Sequence, residues 1–145
     1  MREDLHEIEF TTNPSLEVLA TLTKGINDDS NESGIHSDVE PFGLVLRDKN
    51  EKIIAGASGF VLYGGIYTAQ LWVDKLLRGK GLGRMLMGKV HDYARSKGCL
   101  ISTLRTMSFQ RALKFYEKLG YYVEYKQEGY ENGHACLYLV KNLKK

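Results

Sequence analysis

The chain has 145 residues, 43% of them hydrophobic and 26% charged, with a formal net charge of +2. This is an ordinary globular composition, and the length suits one domain, 1–145, with a core of its own. No run approaches the roughly 18 consecutive apolar residues of a membrane helix, and Met1-Arg2-Glu3-Asp4 is not the start of a secretory leader, so a cytoplasmic address without a membrane partner is expected. Cys99 and Cys136 lack metal-ligand spacing and make no disulfide framework; they read as reduced core thiols, and no metal is expected.

In chain order, Ile8 and Phe10 alternate with Glu7, Glu9 and Thr11, the pattern of a first strand. Asn13-Pro14 then offers a helix cap with proline at the first helical position, and Leu16, Leu19, Ala20 and Thr23 form one face of a helix expected to stop near Gly25. Ile26 to Pro41 lacks periodicity and reads as the longest loop. Phe42–Arg47 and Lys52–Leu62 are β-rich runs joined by the turn Asp48-Lys49-Asn50-Glu51, and Gly64-Gly65 reverses the chain again into Ile66–Asp74, giving an antiparallel meander.

Leu82, Met85, Leu86, Val90, Tyr93 and Ala94 recur at helical spacing up to Gly98, and Cys99–Leu104 is a short strand. So short a return implies a right-handed crossover that sets this strand parallel to the one ending at Asp74. Phe109–Leu119 reads as one amphipathic helix stopped by Gly120; Tyr121–Tyr125 and Ala135–Val140 close the chain as a hairpin. The expected architecture is α+β: a mixed, mostly antiparallel sheet of about seven strands with one parallel pair and helices on its faces.

Charge is unevenly spread. Asn27 to Glu40 holds five acids (Asp28, Asp29, Glu32, Asp38, Glu40) and no Lys or Arg, whereas Lys75 to Lys97 holds seven bases against one acid, Asp92. The basic half suits a polyanionic ligand, and the acidic stretch a cationic one. Nucleic acid fits poorly, because no aromatic residues interleave with the bases and the overall balance is close to neutral.

Within the basic half, Arg78-Gly79-Lys80-Gly81-Leu82-Gly83-Arg84 follows a strand and opens a helix. Three glycines let the backbone approach a ligand closely, and the first helix amides have no partners within the helix, so an anion belongs there. The nucleotide P-loop needs a Gly-Lys pair followed by Ser or Thr, which is missing; in the dinucleotide pattern counted from Gly79, Arg84 stands where the last glycine is required. What remains is R-x-x-G-x-G at Arg78, Gly81 and Gly83, directly after Gln70-Leu71-Trp72-Val73-Asp74. With Ala112-Leu113-Lys114-Phe115-Tyr116-Glu117-Lys118-Leu119-Gly120-Tyr121 about thirty residues further on, the region 42–143 resembles the GNAT superfamily of N-acetyltransferases, and Ser108-Phe109-Gln110, Phe115-Tyr116 and Gly133-His134 look like a bacterial subgroup of undefined substrate.

The resemblance implies a three-layer fold whose parallel pair splays, and acetyl-coenzyme A as co-substrate. Amides from Gly79, Lys80, Gly81, Leu82, Gly83 and Arg84, with Arg78 beside them, would hold the pyrophosphate; Leu71, Trp72 and Val73 would pair with the pantetheine arm, and the Val73 amide would face the thioester oxygen. Ala112 and Tyr116 belong to the second motif, and Tyr116 would protonate the departing thiolate. Phe109 stands where many members carry Asn, and Gln110 is a substitute contact. The base that takes the amine proton is open among His134, Asp74, His36 and Glu40. The acceptor would be a small-molecule or peptide amine, with a cationic molecule favoured by the acidic stretch, and exposed strand edges make a homodimer an expectation. A non-catalytic acyl-coenzyme A sensor is the alternative reading.

Overall fold

Alternating β-branched and aromatic residues in the middle of the chain form the scaffold, seen in a computed structural model that describes residues 7–144. These residues fall into two units, one through His36 and one from Ser37 onward. In the first, α1 spans Leu16–Glu32, and the Ser15 side chain accepts the Val18 amide as its cap.

Three expectations need correction here. Residues 7–10 form no strand, and Ile8 and Phe10 are 98% and 89% exposed: alternation makes a strand only where another strand accepts its hydrogen bonds. The described sheet therefore has six strands, not about seven. The first helix begins at Leu16, after Pro14, and does not stop at Gly25, because one glycine inside a helix costs only about 1 kcal/mol and nothing after it breaks the helix before Ser33. Much of the expected acidic loop is thus helical, and Lys24 pairs with Asp28 one turn on at 2.9 Å.

The second unit is the sheet, with strands β1 (Glu40–Arg47), β2 (Ile53–Leu62), β3 (Gly65–Val73), β4 (Ile101–Met107), β5 (Tyr122–Gln127) and β6 (Cys136–Asn142) in the order β1-β2-β3-β4-β6-β5. Only β3 and β4 run parallel; the other neighbours are antiparallel, and β1 and β5 are its edges. The crossover between β3 and β4 carries α2 (Leu82–Ser96), whose Val90, Met87 and Ala94 are fully buried in the core with Ile66, Leu104 and Leu139. Gly98, at φ 79°, ends the helix as expected, with the Cys99 amide donating back to the Ala94 carbonyl at 2.9 Å.

The expected helix 109–119 is broken. Ser108–Gln110 is a 3-10 turn, Arg111 takes a left-handed φ of 58°, and only Leu113–Lys118 forms a helix, α3. The apolar period survives the break because Ala112, Leu113, Phe115 and Leu119 all pack on the core that holds Tyr116.

Two departures from regular pairing make the site. β3 and β4 pair only from Gly65–Ile101 to Thr68–Leu104 and separate beyond that point. At the same level Ser58 faces Gln70 while Gly59 faces Thr68, so Ala69 is an extra residue that bends β3. The bend carries the second half of β3 away from β4 and opens a gap in the sheet.

Candidate active site

The gap is the floor of a cleft of about 890 Å³. One wall is β3 from Thr68 to Val73, the other is Leu104 to Thr106 of β4, and the loop before α2 with the first residues of α3 closes the ends. The second wall is part of a strand already paired with β6, so its backbone is used on that side. The β3 wall is different. The Asp74 amide donates to the Ile54 carbonyl at 2.9 Å, and by antiparallel alternation Leu71 and Val73 turn their backbone groups toward the gap, where no strand receives them. Arg78 Nε donates to the Val73 carbonyl at 2.8 Å, which ties the loop to the strand end and leaves the Val73 amide as the free donor there.

The loop is shaped by backbone conformation rather than side chains. Asp74 caps a 3-10 turn over Lys75–Leu77 through Leu76 N, and Gly79 and Gly81 follow at φ 78° and 86°. Beyond their chain neighbours, no atom lies within 4 Å of where a Cβ on either glycine would stand, so the loop surface is open there. Gly83 serves another purpose: a Cβ there would stand 3.1 Å from Phe115, so its absence lets α2 and α3 approach.

Of the residues picked from sequence, Leu71, Trp72, Val73, Arg78, Gly79, Gly81, Leu82, Gly83, Arg84, Gln110, Ala112 and Tyr116 all line this cleft. Lys80 and His134 do not. Gln110 is partly committed: its Oε1 accepts from the Met107 amide at 2.8 Å and the Thr106 hydroxyl at 3.1 Å, holding the turn that leads into α3. His134 stands beside Ser108 and Phe109, with Nδ1 3.0 Å from Ser108 Oγ and its ring 5.1 Å from that of Phe109. Ser108 Oγ also accepts the Ala135 amide at 3.0 Å, so the hydroxyl links the ring to the start of β6. Among its rivals, Asp74 is occupied as a cap and Glu40 pairs with Lys97 at 3.0 Å.

Two cleft residues carry signals that local pattern does not reveal. Thr68, at the apex where the strands part, is 4% exposed, and its hydroxyl has no hydrogen-bond partner among the described residues. A buried polar atom without a partner is costly unless a ligand supplies one. Arg105 projects from β4 between Tyr67 and Tyr138.

Tyr116 is buried against Tyr121 and Phe115, and burial pushes its phenol above the ordinary value, so it keeps its proton at neutral pH. Behind it lies a polar chain not foreseen in the sequence: His91 Nε2 to Tyr121 OH at 2.8 Å, and Tyr121 OH to Ser102 Oγ at 2.7 Å. Burial, with Lys141 and Arg95 nearby, lowers His91 to about 4. The unfolded chain would take up this proton near pH 6.5 and the folded one only near 4, so stability is fully present above pH 6.5 and falls as the pH drops through that window. The loss should reach up to about 3 kcal/mol. Denaturant melts from pH 7 to 4 should show a steeper loss for wild type than for His91→Gln, and equal slopes would contradict the assignment.

An antiparallel meander, a parallel pair that splays, and a glycine-rich helix start beside the gap are the features expected of the acetyltransferase fold that the sequence resembles. The Acetyltransferase (GNAT) family matches residues 3–121, and the chain belongs to that family. It is 34% identical over 106 residues to a blasticidin-S acetyltransferase of Streptomyces morookaense, covering 72% of this chain and 77% of that one. An acetyltransferase of Agrobacterium fabrum is 28% identical over 85 residues, 59% of this chain, and the match spans 61% of that protein's length. A Bacillus anthracis acetyltransferase solved with acetyl coenzyme A superimposes with a TM-score of 0.64 at 19% identity, over 71% of this chain and 62% of that one. No described helix is long and apolar enough to cross a membrane.

Proposed function

We propose that this protein transfers an acetyl group from acetyl-coenzyme A to a primary amine by direct attack in a ternary complex. The observation that carries the reading is the parting of β3 and β4 after Thr68 and Leu104, with unpaired amides on one wall and the open start of α2 at its head. The Bacillus anthracis relative that holds acetyl coenzyme A supports the choice of donor. The residues suit such a donor: a phosphate cradle without obstructing side chains, and the orphaned Thr68 hydroxyl at the apex.

In this reading the amides opening α2 bind the pyrophosphate and Leu71 pairs with the pantetheine arm. The Val73 amide, left without a strand partner because β4 has parted from β3, stabilises the charge that develops on the thioester oxygen. The amine attacks the carbonyl carbon, the carbon–sulfur bond breaks, and the Tyr116 phenol gives its proton to the leaving thiolate. The proton lost from the attacking nitrogen leaves through solvent, with His134, which stands beside Ser108, the relay we assign, and solvent returns a proton to Tyr116. Holding both reactants in one cleft supplies much of the acceleration. No nucleic-acid or membrane partner and no metal enters this scheme.

Isothermal titration with acetyl-coenzyme A and a thiol-release assay over an amine panel test the reading. Absence of saturable binding would overturn it. Tyr116→Phe should lower kcat by about 10² to 10⁴ while the Kd for acetyl-coenzyme A stays unchanged; unchanged kcat would remove Tyr116 from the chemistry. Donor binding without turnover on any amine would favour a sensor.

A further inference from the structure

The cleft takes lining residues from both faces of the sheet. Thr68, Leu104 and Thr106 belong to the face against which α2 and α3 pack, and the α2 start opens on that side. Tyr67, Arg105 and Tyr138 alternate with them and belong to the opposite face: Arg105 and Tyr138 are register partners, as are Leu104 and Leu139.

Arg105 is the first β4 residue past the point where the strands part, and it lines the cleft. Its guanidinium carbon stands 5.6 Å from the centre of the Tyr67 ring and 5.5 Å from that of Tyr138. Nε donates to Tyr67 OH at 3.1 Å. Two aromatic rings and one hydrogen bond thus hold a long side chain that would otherwise sample many rotamers. No carboxylate pairs with it among the described residues. An exposed arginine that the fold orients but leaves without a carboxylate partner among the described residues presents its two terminal nitrogens as a planar two-pronged donor, with Tyr138 alongside.

Taking acetyl transfer to an amine as given, we propose that Arg105 is the acceptor-reading residue of this cleft and that the acceptor is an amine carrying a carboxylate, which the Arg105 fork grips from the face opposite the donor. A planar carboxylate matches the two terminal nitrogens, and the grip fixes the distance between the anionic end and the attacking nitrogen. The acceptor is then zwitterionic, cationic at the amine and anionic at the far end. Arg78 is set apart by its place, since it belongs to the loop before α2, on the side assigned to the donor.

The test is thiol release from ω-amino carboxylates of increasing length, glycine through 6-aminohexanoate, each against the alkylamine of equal chain length, with 2-aminoethylphosphonate as a phosphonate arm. Wild type should prefer one length of amino carboxylate over its alkylamine by about 10- to 100-fold in kcat/KM, chiefly through KM. Arg105→Gln should bring that ratio near one, Arg105→Lys should restore part of it, and neither should alter the Kd for acetyl-coenzyme A. A wild-type preference for plain alkylamines or for the phosphonate would overturn the inference, as would a preference that survives in Arg105→Gln or a loss of donor affinity in that variant. Thiol release from no amine, with donor binding intact, would instead overturn the acetyl-transfer reading, and this inference with it.

Discussion

A Gly81→Glu protein should fold, melt within a few degrees of wild type, and show no rise in Tm on adding acetyl-coenzyme A. Gly81 sits at φ 86° as the cap of α2, and beyond its chain neighbours no heavy atom lies within 4 Å of the position its Cβ would take. The fold therefore meets only the left-handed backbone penalty of about 1 to 2 kcal/mol. The carboxylate would lie where the pyrophosphate is proposed to bind and would satisfy the helix amides itself. Two like charges about 4 Å apart in a partly screened site repel by about 4 kcal/mol, a loss of several hundredfold in affinity. Gly81→Ala carries the same backbone cost without the charge and should keep much of the shift. Retention of a wild-type shift by the Glu variant would remove the loop from donor binding.

Gly59→Val should have the larger effect on stability. A Cβ at this position would overlap the Tyr67 carbonyl oxygen and stand 2.9 Å from both Phe42 Cε2 and Thr68 Cα. Two of these three obstacles are β3 backbone, so no rotamer change relieves them. Either β2 withdraws from β3 or the irregularity at Ala69 is lost, and with it the bend that opens the cleft. A destabilisation of about 4 kcal/mol or more is expected, lowering Tm by about 10 °C, with acetyl-coenzyme A affinity reduced in whatever fraction remains folded. Calorimetric melts with and without the donor measure both. A Tm within a few degrees of wild type would mean that the close approach at Gly59 is not needed.

The two glycines differ in how readily they can be read. Gly81 announces itself, because it lies in a run of three between a strand and a helix and beside three bases, a pattern contained in seven residues. Gly59 lies in an apolar stretch with no local signal; its importance comes from a carbonyl on the neighbouring strand. Arg105 and Thr68 are similar. Within their own strands they are one charged and one polar residue at alternating positions, and only the pairing of β3 with β4 sets them on opposite faces of one opening.

The misread elements share a cause. Ile8 and Phe10 alternate as a strand does, yet they find no strand partner. Apolar residues from 109 to 119 follow helical spacing, yet Arg111 turns left-handed between them, because the Gln110 side chain secures a separate turn against Thr106 and Met107. Periodicity reports which side chains face the core. It does not report whether the backbone between them is continuous.

The sequence by itself determined the order of the central elements, the parallel crossover around α2, the glycine-rich loop that opens it and the family likeness, since each is encoded in contiguous residues through period, turn chemistry and spacing. Only the tertiary structure decided where the parallel strands part, which backbone amides remain unpaired, that His91, Tyr121 and Ser102 form one buried chain, and that Tyr67 and Tyr138 flank Arg105. These features depend on the register between strands distant in the chain, and register is set by packing and pairing across the whole sheet.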